Sequence, residues 1–384
     1  MTSLVSRIAS TNVFGAEKRE VAMHAPSPLR SQIMPADGWD DLVLSFSDLS
    51  EEQTQCFNGS RWPQEQLERV AYWNDTELVA AATLQRIKLR GTGVRLTVLR
   101  RGPLWRPVDK PMAPECLDHL YRNLTEAYAS GSRDCLLLTP QCDPVANDAA
   151  PTRLSKAGFR PLKSPASKTR YFVDVSQTPD ALRASLAQKW RYNLRKSEKC
   201  GLTAEVLTGE DAVQRFKAMH EVMVARKQFS ESSPLDTLSD MMAAAQPDLR
   251  PLVFIVNHGE EEVAGAVIDV SGEQASYLYG ATDDKALPLN AGYFLQWKIV
   301  EHLSAMPQIN WYALGGGSSP NCSLHQFKRG LTGKTGLTLD EPDVFFRAGS
   351  PYAAMIGRSV AQLRWWLQHV DLEIRQRFQM PGRG

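Results

Sequence analysis

Apolar positions along this chain switch repeatedly between three- and four-residue steps and alternate-residue steps, and the switches mark out helices and strands. Residues 1–30 show no sustained period and close on His24-Ala25-Pro26-Ser27-Pro28, the composition expected of a flexible tail. Helices are then expected at Trp39–Phe46 and Gln64–Leu67, and strands at Leu67–Trp73, Glu77–Lys88 and Gly93–Gly102. A helix at Leu117–Ala129, a buried strand at Cys135–Thr139, a helix at Thr152–Ala157 and a strand at Arg170–Val175 complete this run. A second run follows, with a helix over residues 182–200, a strand at Thr203–Leu207, and helices at Ala212–Arg226 and Leu235–Ala245. Strands at Pro251–Asn257, Glu262–Val270 and Gln274–Gly280, a helix at Gly292–Ser304 and a strand at Ile309–Leu314 end it.

A helix pair, three meandering strands, a crossover helix and one more strand thus occur twice. The expected fold class is α/β (α+β), as two copies of one layout, each a mixed, mostly antiparallel sheet flanked by helices. With a boundary near Val175, the divisions are a tail at 1–30, a first domain at 31–175, a second at 176–345 and a C-terminal helical extension at 346–384. In that extension Met355, Ile356, Val360, Leu363, Leu367, Val370, Ile374 and Phe378 form one apolar stripe, edged by Trp365 and Trp366 and backed by arginines. Such a helix suits a membrane surface, with peripheral contact through residues 354–378, or it packs on the protein or a second copy.

Composition changes this picture little. The 384 residues are 43% hydrophobic and 23% charged with a net charge of +1, enough for two cores and without a bulk charge that names a partner. No run approaches the ~20 apolar residues of a membrane helix, and the N-terminus lacks the apolar core of a secretory signal, so a cytoplasmic location, or the inner face of the membrane, is expected. Six scattered cysteines without a Cys-x-x-Cys pair point to neither a metal site nor a disulfide framework.

Local charge is more telling. Between Leu182 and Leu202, Arg183, Lys189, Arg191, Arg195, Lys196 and Lys199 face only Glu198, while Leu182, Leu186, Trp190 and Leu194 supply a buried stripe. Either this is a solvated face, or it grips phosphate oxygens through guanidinium and ammonium groups.

The segment Lys189-x-Arg191-x-Asn193-x-Arg195-Lys196, then Gly201, Tyr279-Gly280-Ala281, Tyr312-Ala313-Leu314-Gly315-Gly316 and Phe327-Lys328-Arg329-Gly330 together resemble the FemAB-like proteins. These are tandem GNAT-fold acyltransferases, among them the aminoacyltransferases of peptidoglycan cross-bridges and relatives tied to exopolysaccharide synthesis. Arg101-Gly102-Pro103 and Leu138-Thr139-Pro140 extend the likeness into the first half. Two departures stand out. Ala313 replaces the Asp of the Tyr-Asp-Leu-Gly-Gly pattern, and no long helical insertion is present, which places the chain nearer the compact, exopolysaccharide-type branch.

The resemblance implies transfer of an acyl, acetyl or aminoacyl group to an amine of a cell-envelope glycan or peptidoglycan precursor. Such chemistry needs proximity and an oxyanion donor rather than a nucleophilic side chain. No Gly-x-Ser-x-Gly elbow or Cys/His set competes with it. Lys328, beside Phe327 and after the Gly315-Gly316-Gly317 turn, is the first candidate for oxyanion or donor-phosphate stabilisation, the alternative being an exposed helix lysine paired with an acid. Tyr279 is the second, to position a substrate or to fill the core. By resemblance Lys189, Arg191, Asn193 and Arg195, with Phe327 and Gly316, would bind a phosphate-bearing acceptor, nucleotide- or lipid-linked.

Asp283, Asp284 and His325 are the groups considered for a general base, His325 rather as a surface or capping residue. No tightly bound cofactor and no metal are expected. The acyl donor would be acyl-CoA or aminoacyl-tRNA. The turn Leu287-Pro288-Leu289-Asn290-Ala291-Gly292 is a poor diphosphate cradle, which weighs against acetyl-CoA, and the chain lacks a broad basic surface for tRNA. A non-catalytic anion- or RNA-binding module on the same fold is the alternative.

Overall fold

A computed structural model describes residues 29–162, 169–227, 235–317 and 323–363. The first half contributes β1 (Arg30–Met34), α1 (Trp39–Val43), α2 (Gln55–Asn58), β2 (Leu67–Asn74), β3 (Glu77–Leu89), β4 (Val94–Arg100), α3 (Cys116–Tyr128), β5 (Asp134–Thr139), α4 (Ala149–Lys156) and β6 (Arg160–Leu162). Next come β7 (Thr169–Asp174), α5 (Pro179–Ser185), α6 (Gln188–Ser197), β8 (Leu202–Leu207), α7 (Glu210–Lys227) and α8 (Leu238–Met242). The chain continues through β9 (Leu252–His258), β10 (Glu261–Asp269), β11 (Gln274–Thr282), α9 (Ala291–Ser304), β12 (Trp311–Gly317), α10 (Ser323–Thr332), β13 (Leu337–Asp340) and β14 (Val344–Ala348). A last helix, α11, covers 351–363.

Two seven-stranded sheets result, ordered β1-β2-β3-β4-β5-β14-β6 and β13-β7-β12-β11-β10-β9-β8. Read from β8, the second order repeats the first position by position. In each, one parallel pair, β4 with β5 and β11 with β12, is joined by the crossover helix that parallel pairing requires. The sixth position is exchanged: β14 enters the first sheet beside β5, and β7 enters the second beside β12.

That exchange corrects the expected divisions. The strand at Arg170–Val175, assigned to the first domain, belongs to the second sheet. The extension drawn from residue 346 as helical begins with a strand of the first sheet. The reason is register: Phe345 pairs with Leu138 and Pro161 at once, burying both Phe345 and Phe346. Ile356 and Val360 of α11 then pack on the same sheet beside Phe346, with Ala353 fully buried there. Met355 and Leu363 are exposed. The rest of the apolar stripe, Leu367 to Phe378, lies outside the described residues, as does most of the tail expected at 1–30.

One further expectation is corrected by tertiary contact. The helix over 182–200 is two helices, broken at Leu186 and Ala187, both of which hold extended ψ angles near 150°. No Gly or Pro forces this break. Ala187 N donates to Gly330 O at 3.1 Å and Lys334 N to Ser185 O at 3.1 Å, so the docking end of α10 takes the backbone groups a continuous helix would use.

The second sheet is covered on one face by α5, α6, α9 and α10, around Trp190, Trp297, Tyr171 and Tyr312. Its other face meets α7 and α8 and the first unit. Buried Arg106 ties the units together, reaching Asp143 at 2.9 Å in the first and Glu273 at 2.6 Å in the second. Backbone support comes from Glu273 N donating to Ser47 O at 2.9 Å.

Candidate active site

Strands β11 and β12 pair only at Gln274 with Trp311, Ala275 with Tyr312 and Ser276 with Ala313. Beyond that row Tyr277–Thr282 and Leu314–Gly317 diverge. Gly315, at φ +73°, shifts the register of β12 so that it stays with β7 and leaves β11. A residue with a side chain is strained at that angle. The result is a V-shaped opening whose facing backbone edges make no ladder hydrogen bonds to each other, a natural place for donors to meet a developing oxyanion.

A bulge at Leu278 of β11, opposite Val267 and Ile268 of β10, sets what faces this opening. Val267 pairs with Tyr279 and Ile268 with Tyr277, so Leu278 is skipped and the two tyrosines point to opposite faces. Tyr277 turns to the α9 side and lies over Gly280, where any Cβ would run into its hydroxyl. Burial pushes the Tyr277 hydroxyl up to about 12. Tyr279, the residue singled out in the sequence, is 6% exposed, packs among α7 and α8 residues and bonds to Thr237. It therefore faces the first unit, on the other face of the sheet from the helix carrying Lys328. The sequence reading missed Tyr277 because an unbroken strand would put both tyrosines on one face.

On the α9 side Lys328, Phe327 and Gly316 come together. Lys328 is half-buried, and its Nζ donates to Gly316 O at 2.8 Å, on the diverging end of β12. Helix α6 packs against both α9 and α10. Trp190 contacts Tyr293 of α9 and Phe327 of α10 with ring centroids 5.1 and 5.8 Å away, and the latter two lie 4.9 Å apart. Gly330 makes this closeness possible, since a Cβ there would press on the indole at 2.9 Å. The indole Nε1 of Trp190 is buried without a hydrogen-bond partner among the described residues.

The cations of α6 divide. Arg183 pairs with Glu198, and Arg191 is held by Ala184 O at 2.6 Å, closing the break between α5 and α6. Lys189, Arg195, Lys196 and Lys199 are exposed and have no ion-pair partner among the described residues; Asn193 is half-buried. The positive field read in the sequence is thus carried by these four, and Arg191 is first a structural residue. His325 is bonded through Nδ1 to buried Tyr171, and Asp283 accepts from Ala286 N at 2.9 Å as a turn cap. In the turn before α9, Ala286, Asn290 and Ala291 donate to protein acceptors and Pro288 has no N–H, which leaves few amides of this turn for an anion.

The first-unit side of the opening has a different chemistry. The cross-strand row at its base, Asp269, Ser276, Ala313 and Phe172, faces the first unit. Asp269 is 1% exposed, with Oδ2 accepting from Ser271 Oγ at 3.0 Å and Oδ1 unpartnered. Burial, and after it the charge of Glu51, raises its carboxyl to about 7. Arg101 of the first unit donates to Glu51 at 2.8 Å. Near Tyr279, Arg61 stacks over Phe57 and Trp62 at 5.1 and 5.3 Å and has no acid partner among the described residues. Nothing in the sequence marked Arg61, because its stacking partners and Tyr279 meet only in the folded chain.

Residues 183–329 match the model of the Acetyltransferase (GNAT) domain family. The crystal structure of FemX superposes with a TM-score of 0.67, covering 88% of this chain and 100% of that one at 14% identity. The chain thus has a tandem GNAT fold, with a GNAT acetyltransferase domain in its second half. Lower-scoring likenesses include the C-terminal domain of a putative lysylphosphatidylglycerol synthetase from Agrobacterium fabrum, at TM-score 0.46 and 15% identity, covering 73% of this chain and 85% of that one. A tandem GNAT protein from the clavulanic acid biosynthesis pathway, at 0.43 and 13%, covers 84% of this chain and 99% of that one. No curated protein matches the sequence. The GNAT match ends one residue past Lys328, and thus contains the whole of the β11–β12 opening and α6.

Proposed function

We propose that the acyltransferase joins an acyl, acetyl or aminoacyl group to an amine of a cell-envelope glycan or peptidoglycan precursor, with the two substrates meeting through the β11–β12 opening from opposite faces. The donor enters on the α9 side, and Lys189 and Arg195, read from the sequence as acceptor contacts, hold its phosphate-bearing carrier instead, together with Lys196. The acceptor enters on the first-unit side, where Arg61 takes a phosphate of a nucleotide- or lipid-linked precursor. The observation that carries this reading is the opening itself, with Lys328 at its edge and, on both faces, cations that have no ion-pair partner among the described residues.

The amine nitrogen attacks the donor carbonyl carbon. The carbonyl oxygen takes up negative charge near Lys328 and the unpaired backbone of the diverging strands. The carbon–sulfur or carbon–oxygen bond to the carrier then breaks, the electron pair leaves with the carrier atom, and the proton lost by the amine balances it. The FemAB-like motif order supports the acceptor class. Acyl-CoA and aminoacyl-tRNA both present the required carrier chemistry, and a site on the cytoplasmic side of the envelope suits either. No helix among the described residues is long and apolar enough to cross a membrane.

Offering the protein each donor together with amine-bearing nucleotide- and lipid-linked precursors, with products followed by mass spectrometry, tests the reading. Lys328→Ala should lower turnover by at least about tenfold, roughly 1.4 kcal/mol of transition-state stabilisation. Arg61→Ala should raise the KM for the acceptor alone, since a charge-assisted hydrogen bond contributes roughly 1.5–3 kcal/mol. Anion or RNA binding without any transfer would put the non-catalytic alternative in its place.

A further inference from the structure

The outer side of the first unit holds a hollow of about 750 Å3 enclosed by α3, the end of α4 and β14. Arg122, Arg153, Lys156 and Arg347 line it against Asp118 and Glu126, four positive charges to two negative, hence a net charge of two positive. Arg153 Nε lies 3.5 Å from Asp118 Oδ2 and is otherwise without a hydrogen-bond partner. Arg122 and Lys156 are exposed and have no ion-pair partner among the described residues. Arg347 is fixed in place by donating to Ala157 O, over Gly158 at φ +83°, where a Cβ would collide with its guanidinium.

The position of this hollow is informative. In their sheets α3 and α4 stand where α9 and α10 stand in the second unit. There α6 bridges the two helices; among the described residues no helix is packed across α3 and α4. Where the second unit sets aromatic rings of α6, α9 and α10 against one another, the first packs α3 directly on α4 and carries arginines beside them. The volume of the hollow lies in the range of small-molecule sites, and fixed guanidinium groups favour bidentate contact with phosphate oxygens.

We propose that this hollow is a second anion site, separate from the transfer site, that takes a small phosphate-bearing ligand between pyrophosphate and a nucleotide in size. The test is calorimetric titration of the full chain with pyrophosphate, in the wild type, in the doubly substituted R122A/K156A and in K189A/R195A. All four substituted side chains are mostly solvent-facing, and a thermal melt of each variant confirms the fold. Two classes of site are expected, one weakened at least tenfold by R122A/K156A and unchanged by K189A/R195A, with the reverse for the other. A single class abolished by K189A/R195A and indifferent to R122A/K156A would overturn the proposal, as would the absence of pyrophosphate binding in a protein that binds only long RNA. Because the readout is binding, its outcome does not depend on whether acyl transfer is observed.

Discussion

The two halves share one strand order yet differ at the parallel pair. In the first, β4 and β5 are zipped over six rows, from Arg95 with Asp134 to Arg100 with Thr139. Arg101, at φ +44°, then turns the chain away toward the second unit. In the second, pairing stops after three rows and the strands part. The same layout thus makes a closed scaffold in one place and an opening in the other. The change rests on a few residues: the bulge that skips Leu278, the left-handed Gly315, and an α6 that braces the helices on either side. The first unit supports the opening from outside, through Arg61, Arg101 and the Arg106 ion pairs.

Deleting the exchanged strand should break the comparison most severely. A chain ending at Asp343 lacks β14, which sits between β5 and β6 and buries Phe345 and Phe346. Its first sheet is expected not to form, read as loss of a cooperative thermal transition for that unit by circular dichroism. An intact first-unit transition would show that the halves are not joined by strand exchange in the way described.

The next effect is electrostatic and centres on a buried carboxyl of the second half. Asp269 has its carboxyl raised from 3.8 to about 7 in the folded protein. A raised folded value means stability that is full below about 4 and lost as pH climbs through 7, because only the folded state holds the proton over that window. Asp269→Asn should therefore flatten the fall in melting temperature between pH 4 and 7, removing up to about 4 kcal/mol of pH dependence. An identical slope in wild type and variant would locate the titrating group elsewhere.

A smaller effect sharpens the account of the opening. Gly315→Ala forces a side chain into a left-handed conformation at a cost of roughly 1–2 kcal/mol. It also disturbs the carbonyl next door that holds Lys328. Urea unfolding should show a loss of that size together with slower transfer, whereas unchanged stability and rate would mean that the β12 shift does not need glycine.

Much of the layout was legible in the sequence because the apolar periods of the meander strands and crossover helices are strong. The packing of the helix that carries Lys328 on the cationic helix was also within reach, since Trp190 and Phe327 sit on periodic faces. Three things were not. Val344–Ala348 reads as a short apolar run, and nothing local says it returns to the first sheet. The break at Ala187 is imposed by Gly330 from more than a hundred residues away. Tyr277 and Tyr279 take opposite faces because Leu278 bulges out between them, which only the pairing with β10 reveals.

The most direct measurement is a crystal structure of the protein with a non-reactive acyl-donor analogue bound. The reactive carbonyl should lie between Tyr277 and Gly316, its oxygen within hydrogen-bond reach of the parted strands or of Lys328, and the carrier phosphates should lie against Lys189 and Arg195. A donor bound elsewhere, with the space between β11 and β12 empty, would contradict the account.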